Sequence, residues 1–216
     1  KLGELLQQRA VEEERSRIAK DMHDDIGANL THISLLGERL QRGSRDEDKV
    51  QRLASRISNE TREVSDKVDE IVWALNPRND TLDKLASYLV HYSEEFCEEA
   101  PFRLRLDVPL ELPDHHLNSD VRHNLFMVVK EALNNIAKYA EAREVRVSMH
   151  VPATELRIEI EDDGKGFDME AILDEGLGHG LENMQRRIED IRGRFDMEST
   201  PGKGTHILIR LSLSRL

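Results

Sequence analysis

Cysteine and long apolar runs are both scarce in this sequence of 216 residues. Its single cysteine, Cys97, excludes a disulfide framework within the chain and fits a reducing compartment. Cys97 shares the apolar register of Leu82, Leu85, Leu89 and Phe96, which predicts a packed thiol rather than a nucleophile. No apolar run approaches the roughly 18 residues that a membrane span needs.

Basic charge is also limited. The chain has 31 Lys and Arg against 43 Asp and Glu, a formal net charge of −12 at pH 7. Because nucleic-acid binding requires a basic surface to neutralise phosphates, this balance excludes nucleic acid as a partner. It favours protein partners and a nucleotide chelated by a metal ion.

Proline is absent between Leu2 and Leu40, and apolar residues there recur at steps of three and four. A second stretch of this kind runs from Asp46 to Leu75 with Glu60 as its polar interruption, and Asn76-Pro77 ends it. This pattern predicts an antiparallel helical hairpin that turns near Gly43. One hairpin cannot cover both apolar stripes, so we expect a homodimer in which two hairpins form a four-helix bundle.

After Pro77 the pattern becomes mixed. We predict helices at about 81–100, 117–140 and 180–192, and strands at about 102–108, 144–151, 155–162, 194–199 and 205–213. Helices on one side of a mixed sheet form an α/β sandwich. The fold class is therefore α+β, with a helical domain at 1–76 and a sandwich domain at 77–216.

The segment EEERSRIAKDMHDDIGANL, residues 12–30, places His23 away from the apolar stripe of its helix. An exposed histidine beside Asp24 is a candidate nucleophile, since a carboxylate that accepts one ring N–H leaves the other nitrogen's lone pair free. A solvated surface histidine is the alternative interpretation of the same residues.

Helical spacing in KEALNNIAKYA, residues 130–140, places Glu131, Asn135 and Lys138 on one polar face. A carboxylate, an amide oxygen and a lysine suit hydrated Mg²⁺ and the phosphates it carries. Ordinary ion pairing on a polar helix face is the alternative.

Two glycine-rich segments and a glycine turn follow. In DDGKGFD, residues 162–168, Asp162 ends a strand, where its carboxylate can accept a hydrogen bond from an exocyclic amine, and Gly164 and Gly166 allow a ligand to approach. In GLGHGLENM, residues 176–184, glycines precede a helix whose N–H groups can bind phosphate. The final GKGT ends at Thr205. Each segment alone is equally compatible with a plain turn.

Together and in this order, the motifs closely resemble those of two-component histidine kinases of the nitrate/nitrite-sensor branch. ERSRIAKDMHDDIG resembles the phosphoacceptor box, KEALNNIAKYA the N box, and the two glycine-rich segments the first and second glycine boxes. The final GKGT resembles the segment that closes over adenine in the wider gyrase, heat-shock chaperone, histidine kinase and mismatch-repair ATPase (GHKL) superfamily. The resemblance covers about residues 10–213.

The resemblance implies a kinase that binds Mg-ATP, phosphorylates His23 with Asp24 accepting the ring proton, and passes the phosphoryl group to an aspartate of a response regulator receiver domain. It further implies a role in the nucleotide site for ten residues. Glu131 and Asn135 would hold Mg²⁺, Lys138 would meet phosphate, Asp162 would bind the adenine amine, Thr205 would touch the base, and Gly164, Gly166, Gly178, Gly180 and Leu181 would line the pocket.

Two positions depart from the family pattern. Tyr139 replaces the usual His beside the pocket. Ala28 replaces a frequent Gln that orients the water hydrolysing the regulator's phospho-aspartate, so the resemblance implies an enzyme biased toward kinase over phosphatase activity.

Two other functions use the same motifs: a degenerate nucleotide-binding dimerisation module without phosphotransfer, and a serine kinase of the anti-sigma type. Intact His23, Glu131 and Asn135 argue against the first, and the helical hairpin against the second. Because the sequence opens on Lys1 within a helical pattern, we expect a cytoplasmic fragment whose sensor or membrane segments lie upstream.

Overall fold

The computed structural model describes residues 26–27, 29–41, 47–98, 100–169 and 179–215. The chain divides into two compact units, Lys1–Pro77 and Arg78–Leu216, and each is described by itself. Across the described residues, no helix has the length and apolar character needed to span a bilayer.

The described part of the first unit is helical. Residues 29–41 form helix α1, and α2 spans Glu47–Leu75. His32 Nδ1 lies 2.7 Å from Glu60 Oε2, so the polar interruption of the second apolar seam pairs with a side chain of α1. Leu36 is fully buried, whereas four large apolar side chains stay exposed: Leu30, Leu35, Val68 and Val72. These are the two helices of the predicted hairpin, and their apolar residues are only partly covered.

A five-stranded sheet forms one layer of the second unit. Its strands are β1 (Arg103–Asp107), β2 (Glu144–His150), β3 (Glu155–Asp162), β4 (Arg194–Thr200) and β5 (Gly204–Ser212). The order across the sheet is β1-β2-β3-β5-β4. The β1–β2 pair is parallel and the other pairs are antiparallel, which makes this the mixed sheet expected from the sequence.

Among the described residues of this unit, three α-helices accompany the sheet. They are α3 (Leu82–Glu98), α4 (Ser119–Asn135) and α5 (His179–Asp190). Helix α4 begins where the Asn118 side chain accepts a hydrogen bond from the Val121 N–H, an N-cap that satisfies one of the free donors of the first turn. Cys97 is half-buried on α3, and burial raises the pKa of its thiol to about 11, as expected for a packed cysteine.

The core lies between the helices and one face of the sheet. Alternate residues of β3 and β5 are buried, namely Leu156, Ile158 and Ile160 on β3 and Ile207, Ile209 and Leu211 on β5. Helix α4 contributes fully buried residues at helical spacing: Leu125, Val128, Val129, Ala132 and Leu133. The period of two on the strands and of about 3.6 on the helix therefore produces the two-layer α/β sandwich.

The end of α4 differs from the sequence prediction. A single α-helix was predicted over 117–140, but the α-helix stops at Asn135 and residues Ile136–Ala140 form a π-helical turn. Because a π turn is wider than an α turn, the residues within it no longer follow α-helical spacing from Glu131. Such turns occur often at functional sites.

Arg122 is a charged residue in the core, where no sequence pattern predicted one. It is fully buried near the start of α4, and its Nη2 donates a hydrogen bond to Asp80 Oδ1, 42 positions earlier in the chain. The backbone joins the same segments, since Leu117 N donates to Asp80 O and Leu82 N to His115 O. The ion pair thus fixes the segment before α3 to the start of α4.

We predict that Asp80→Asn lowers the free energy of unfolding of the second unit by about 3–5 kcal/mol, because it leaves a buried guanidinium without its counter-charge. Urea unfolding followed by circular dichroism measures this change. The double variant Asp80→Asn/Arg122→Met should recover most of the loss. Glu155→Gln is the control, since the Glu155–Arg157 ion pair is exposed and its loss should cost less than about 1 kcal/mol. Equal effects of Asp80→Asn and Glu155→Gln would contradict the prediction.

Candidate active site

A cavity of about 450 Å³ lies in the second unit beside the end of α4. Glu131, Asn135 and Tyr139 line it at steps of four residues along α4 and the π turn. The apolar face of the same helix packs in the core, so the amphipathic pattern of KEALNNIAKYA presents this polar face to the cavity.

The sheet supplies the opposite side of the cavity. Asp162 is the last residue of β3 and pairs with Thr205 of β5, and both side chains line the cavity. Asp162 follows Ile158 and Ile160 on the buried face, so the alternation of the strand places its carboxylate inside the fold.

Burial controls the electrostatics of Asp162. Desolvation raises the pKa of its carboxyl above the usual value for an aspartate. Hydrogen bonds oppose this effect, since the Gly164 N–H donates to Asp162 Oδ1 at 2.8 Å and the Thr205 hydroxyl and backbone also lower the pKa. Asp162 is therefore a buried acceptor that is oriented by its neighbours.

The adjacent Asp163 has a different environment. It is exposed, and its Oδ1 accepts hydrogen bonds from Arg143 N at 2.7 Å and Glu144 N at 2.9 Å. These two bonds lower the pKa of its carboxyl. Asp163 therefore ties the start of β2 to the end of β3, and only Asp162 of this pair lines the cavity.

Two glycines allow the close contacts around Asp162. A Cβ on Gly164 would lie 2.3 Å from Ala140 O and 2.7 Å from Asp162 Oδ1. Gly204 has φ of +82°, and a Cβ there would lie 1.9 Å from Asp162 O. The backbone approaches Asp162 this closely only because both residues lack side chains.

Helix α5 closes another side of the cavity with Gly180, Leu181 and Met184. A Cβ on Gly180 would lie 2.8 Å from Glu131 Oε1 and 3.7 Å from Asn135 Nδ2. The described start of α5 therefore lies directly over the polar face of α4.

Most of the residues that the motifs predicted for the nucleotide site lie at the cavity. Glu131, Asn135, Asp162, Gly166, Gly180, Leu181 and Thr205 line it, and Gly164 contacts Asp162. Lys138 is exposed in the π turn and is not among the residues that line the cavity, whereas Tyr139 is. The predictions for His23, Asp24, Ala28 and Gly178 fall outside the described residues.

Sequence reasoning missed the apolar walls of the cavity. Ile160 and Ile207 on the sheet, Met184 on α5 and Met197 on β4 line it, together with Phe167. The strand residues could have been found by continuing the period of two from Asp162 and Thr205. Apolar walls together with the buried carboxylate of Asp162 suit a heterocycle that carries an amine.

The donors on α4 fit a hydrated magnesium ion. Glu131 and Asn135 provide a carboxylate and an amide oxygen one helical turn apart, and Mg²⁺ takes such hard oxygen ligands while keeping several waters. Gly180 leaves space next to both side chains that any larger residue would fill.

Comparisons with known proteins match both parts of the chain. The family described as "Histidine kinase" matches residues 14–80, and the family of "Histidine kinase-, DNA gyrase B-, and HSP90-like ATPase" matches residues 120–215. Among solved structures, the histidine kinase domain of the blue-light activated histidine kinase of Erythrobacter litoralis has the same fold. Its TM-score is 0.57 at 14% identity, with 88% of this chain and 95% of that chain covered.

Relatives of similar sequence are sensor histidine kinases of Bacillus subtilis. Sensor histidine kinase LiaS is 27% identical over 204 residues, which cover 94% of this chain and 55% of LiaS. Sensor histidine kinase YhcY is 30% identical over 215 residues, which cover 99% of this chain and 54% of YhcY. The chain therefore spans about half the length of these relatives.

The fold of the second unit and its cavity define an ATPase unit of the GHKL type. With the family matched over residues 14–80, the chain belongs to the histidine kinase family. The resemblance seen in its four motifs is confirmed.

We predict that Gly204→Ala destabilises the second unit by about 2–4 kcal/mol, since it adds a steric clash with Asp162 O to the cost of a left-handed backbone. Gly202→Ala is the matched control. Gly202 has φ of +79° with no heavy atom within 4 Å of an added Cβ, so only the backbone cost of about 1 kcal/mol applies. Urea unfolding measures both changes, and equal losses would show that the close approach at Gly204 contributes nothing.

Proposed function

We propose that the chain is a histidine kinase core that binds Mg-ATP in the cavity, phosphorylates His23 and transfers the phosphoryl group to an aspartate of a response regulator. One observation carries the proposal. A single cavity unites a buried carboxylate, Asp162, with two oxygen donors, Glu131 and Asn135, and with the start of α5.

The adenine of ATP would bind at the sheet end of the cavity. Asp162 accepts a hydrogen bond from the exocyclic amine, while Ile160, Ile207 and Met184 contact the faces of the ring. Thr205 supports the carboxylate, and its hydroxyl lies 3.1 Å from Ser199 Oγ, which itself accepts a hydrogen bond from Phe167 N at 3.0 Å. This network holds the β4–β5 turn and the first glycine box around one base.

The phosphates would lie between α4 and the start of α5. Asn135 would ligate Mg²⁺ directly, and Glu131 would hold a metal-bound water, with Lys138 near the phosphates. When bound, Mg²⁺ neutralises the negative charge that develops on the transferring phosphoryl group. A side chain at position 180 would crowd Glu131 Oε1, so the glycine keeps Glu131 and Asn135 open to the cavity.

In the transfer step, a ring nitrogen of His23 attacks the γ-phosphorus of ATP in line with the leaving group. A nitrogen–phosphorus bond forms, the bond to the oxygen that bridges the β- and γ-phosphates breaks, and ADP leaves. Asp24 orients the imidazole and accepts the proton from the other ring nitrogen. The phosphoryl group then passes from His23 to the regulator's aspartate.

The first unit would supply the dimer. Leu30, Leu35, Val68 and Val72 remain exposed on the two described helices, and a second hairpin would bury them in a four-helix bundle. We therefore propose a homodimer that meets its response regulator in the cytoplasm.

Incubation of the purified chain with γ-labelled ATP and Mg²⁺ tests this function. We predict label that is labile in acid and stable in alkali, as a phosphohistidine is, and that is lost in His23→Ala. Asn135→Ala should also abolish labelling, because the change removes a metal ligand, and it should leave the circular dichroism spectrum unchanged because Asn135 borders the cavity rather than the core.

Each variant tests one part of the proposal. Label that persists in His23→Ala would place the phosphoacceptor elsewhere, and label that persists in Asn135→Ala would place the magnesium ligand elsewhere. A chain that binds ATP without any labelling would instead be the degenerate nucleotide-binding module.

The raised pKa of Asp162 leads to a prediction about pH. Only the carboxylate is a full acceptor for the adenine amine, so ATP affinity should fall as the pH drops through that pKa, which lies above the ordinary value for an aspartate. The side chain in Asp162→Asn does not titrate. This variant should bind ATP more weakly than the unmodified chain, and position 162 should add no pH dependence to its affinity. Calorimetry of both proteins between about pH 4.5 and 7 gives their affinity ratio, in which titration of the nucleotide cancels. A ratio that stays constant with pH would contradict the role of Asp162.

A further inference from the structure

The face of the sheet opposite the cavity carries a cluster that the nucleotide site does not use. Because side chains alternate along a strand, the neighbours of Asp162 and Thr205 point to this outer face. They are Glu161 on β3 and His206 on β5, which are direct partners in the strand pairing. Glu159, two residues before Glu161, lies on the same face.

These three side chains converge. His206 Nε2 lies 3.7 Å from Glu159 Oε2 and 3.8 Å from Glu161 Oε1, and one possible ligand atom of each residue lies within 4.8 Å of the others. All three residues are half-buried. Since they are on paired strands, their spacing is fixed by the backbone rather than by flexible loops.

The position of His206 differs from that of an ordinary hydrogen-bonded histidine. Its Nε2 atom is buried and has no hydrogen-bond partner, although two carboxylates are near. An N–H···O bond requires about 2.7–3.2 Å, and both distances exceed this. The nitrogen thus lies almost equally far from two carboxylates and bonds to neither.

A metal ion accounts for this spacing. Zinc binds histidine nitrogen and carboxylate oxygen at about 2.0–2.2 Å, which places tetrahedral ligand atoms about 3.4 Å apart. The two distances from His206 Nε2 would have to shorten by only a few tenths of an ångström to reach that separation, and all three ligand atoms lie within 4.8 Å of one another. One imidazole nitrogen with two carboxylates favours ions of the zinc type, whereas Mg²⁺ prefers oxygen ligands alone.

We propose that Glu159, Glu161 and His206 form a binding site for Zn²⁺ or a similar transition-metal ion on the outer face of the sheet. Glu198 lies opposite His206 on β4 and lines the same groove as His206 and Glu161, so it adds negative charge beside the ion. The ion links β3 to β5 directly behind Asp162 and Thr205. Its binding therefore stabilises the strand pair that carries the adenine end of the cavity.

The test uses the full chain, stripped of metal with a chelator and free of nucleotide. Calorimetric titration with ZnCl₂ should show that the unmodified chain binds one equivalent of Zn²⁺. In His206→Ala and in Glu159→Gln this binding should be lost, or its affinity should fall by at least about tenfold, because each change removes a ligand. Zn²⁺ should raise the melting temperature of the unmodified chain and not that of the variants. Titration with MgCl₂ should give the same result for the unmodified chain and for His206→Ala.

His150→Ala is the matched control. His150 lies on the same face, but its nearest acidic partner is Asp107 at 3.7 Å, and it belongs to no cluster of three among the described residues. Asn135→Ala separates this site from the proposed magnesium site and should bind Zn²⁺ as the unmodified chain does. Identical Zn²⁺ binding by His206→Ala and the unmodified chain would overturn the proposal, as would equal losses in His206→Ala and His150→Ala.

Discussion

The pairing of β3 with β5 is the constraint on which the second unit depends. Its register places Asp162 opposite Thr205, and the next pair along the strands is Glu161 with His206. One face of these strands therefore borders the cavity and the other carries the histidine–glutamate cluster. Glycine at 204 favours this register, because a side chain there would overlap the backbone oxygen of Asp162. A slip of one residue would exchange the two faces and remove both arrangements.

The first turns, the middle and the last turn of helix α4 have different roles. Its first turns bury Arg122 against Asp80, its middle packs Leu125, Val129 and related residues against the sheet, and its last turn brings Glu131 and Asn135 to the cavity. The helix can present polar groups at its end because the rest is held by apolar packing. The π turn that follows keeps Tyr139 at the cavity and leaves Lys138 exposed.

Much of this could be predicted from the sequence, for identifiable reasons. The period of two in ELRIEIED predicted β3 with Asp162 at its end, and ordered motifs pointed to Glu131, Asn135 and the glycines without any knowledge of their distances. Local patterns could not reveal the Asp80–Arg122 ion pair, since 42 positions separate the two residues and Arg122 resembles a surface residue of an amphipathic helix. The π turn also has no simple sequence signal, so α-helical spacing did not predict that Tyr139 would line the cavity with Glu131 and Asn135.

The charge of the cavity explains why the proposed substrate needs a metal ion. Glu131 and Asp162 are both acidic, and the lysine on the lining, Lys165, already pairs with Glu141 at 2.8 Å. A polyphosphate would enter this surface of an acidic chain against electrostatic repulsion. In the proposed function, a divalent cation held by Glu131 and Asn135 would reverse that balance where the phosphates bind, while Asp162 would accept a hydrogen bond from the uncharged base. The two carboxylates would therefore serve one anionic ligand in different ways, Glu131 through a cation and Asp162 as a hydrogen-bond acceptor.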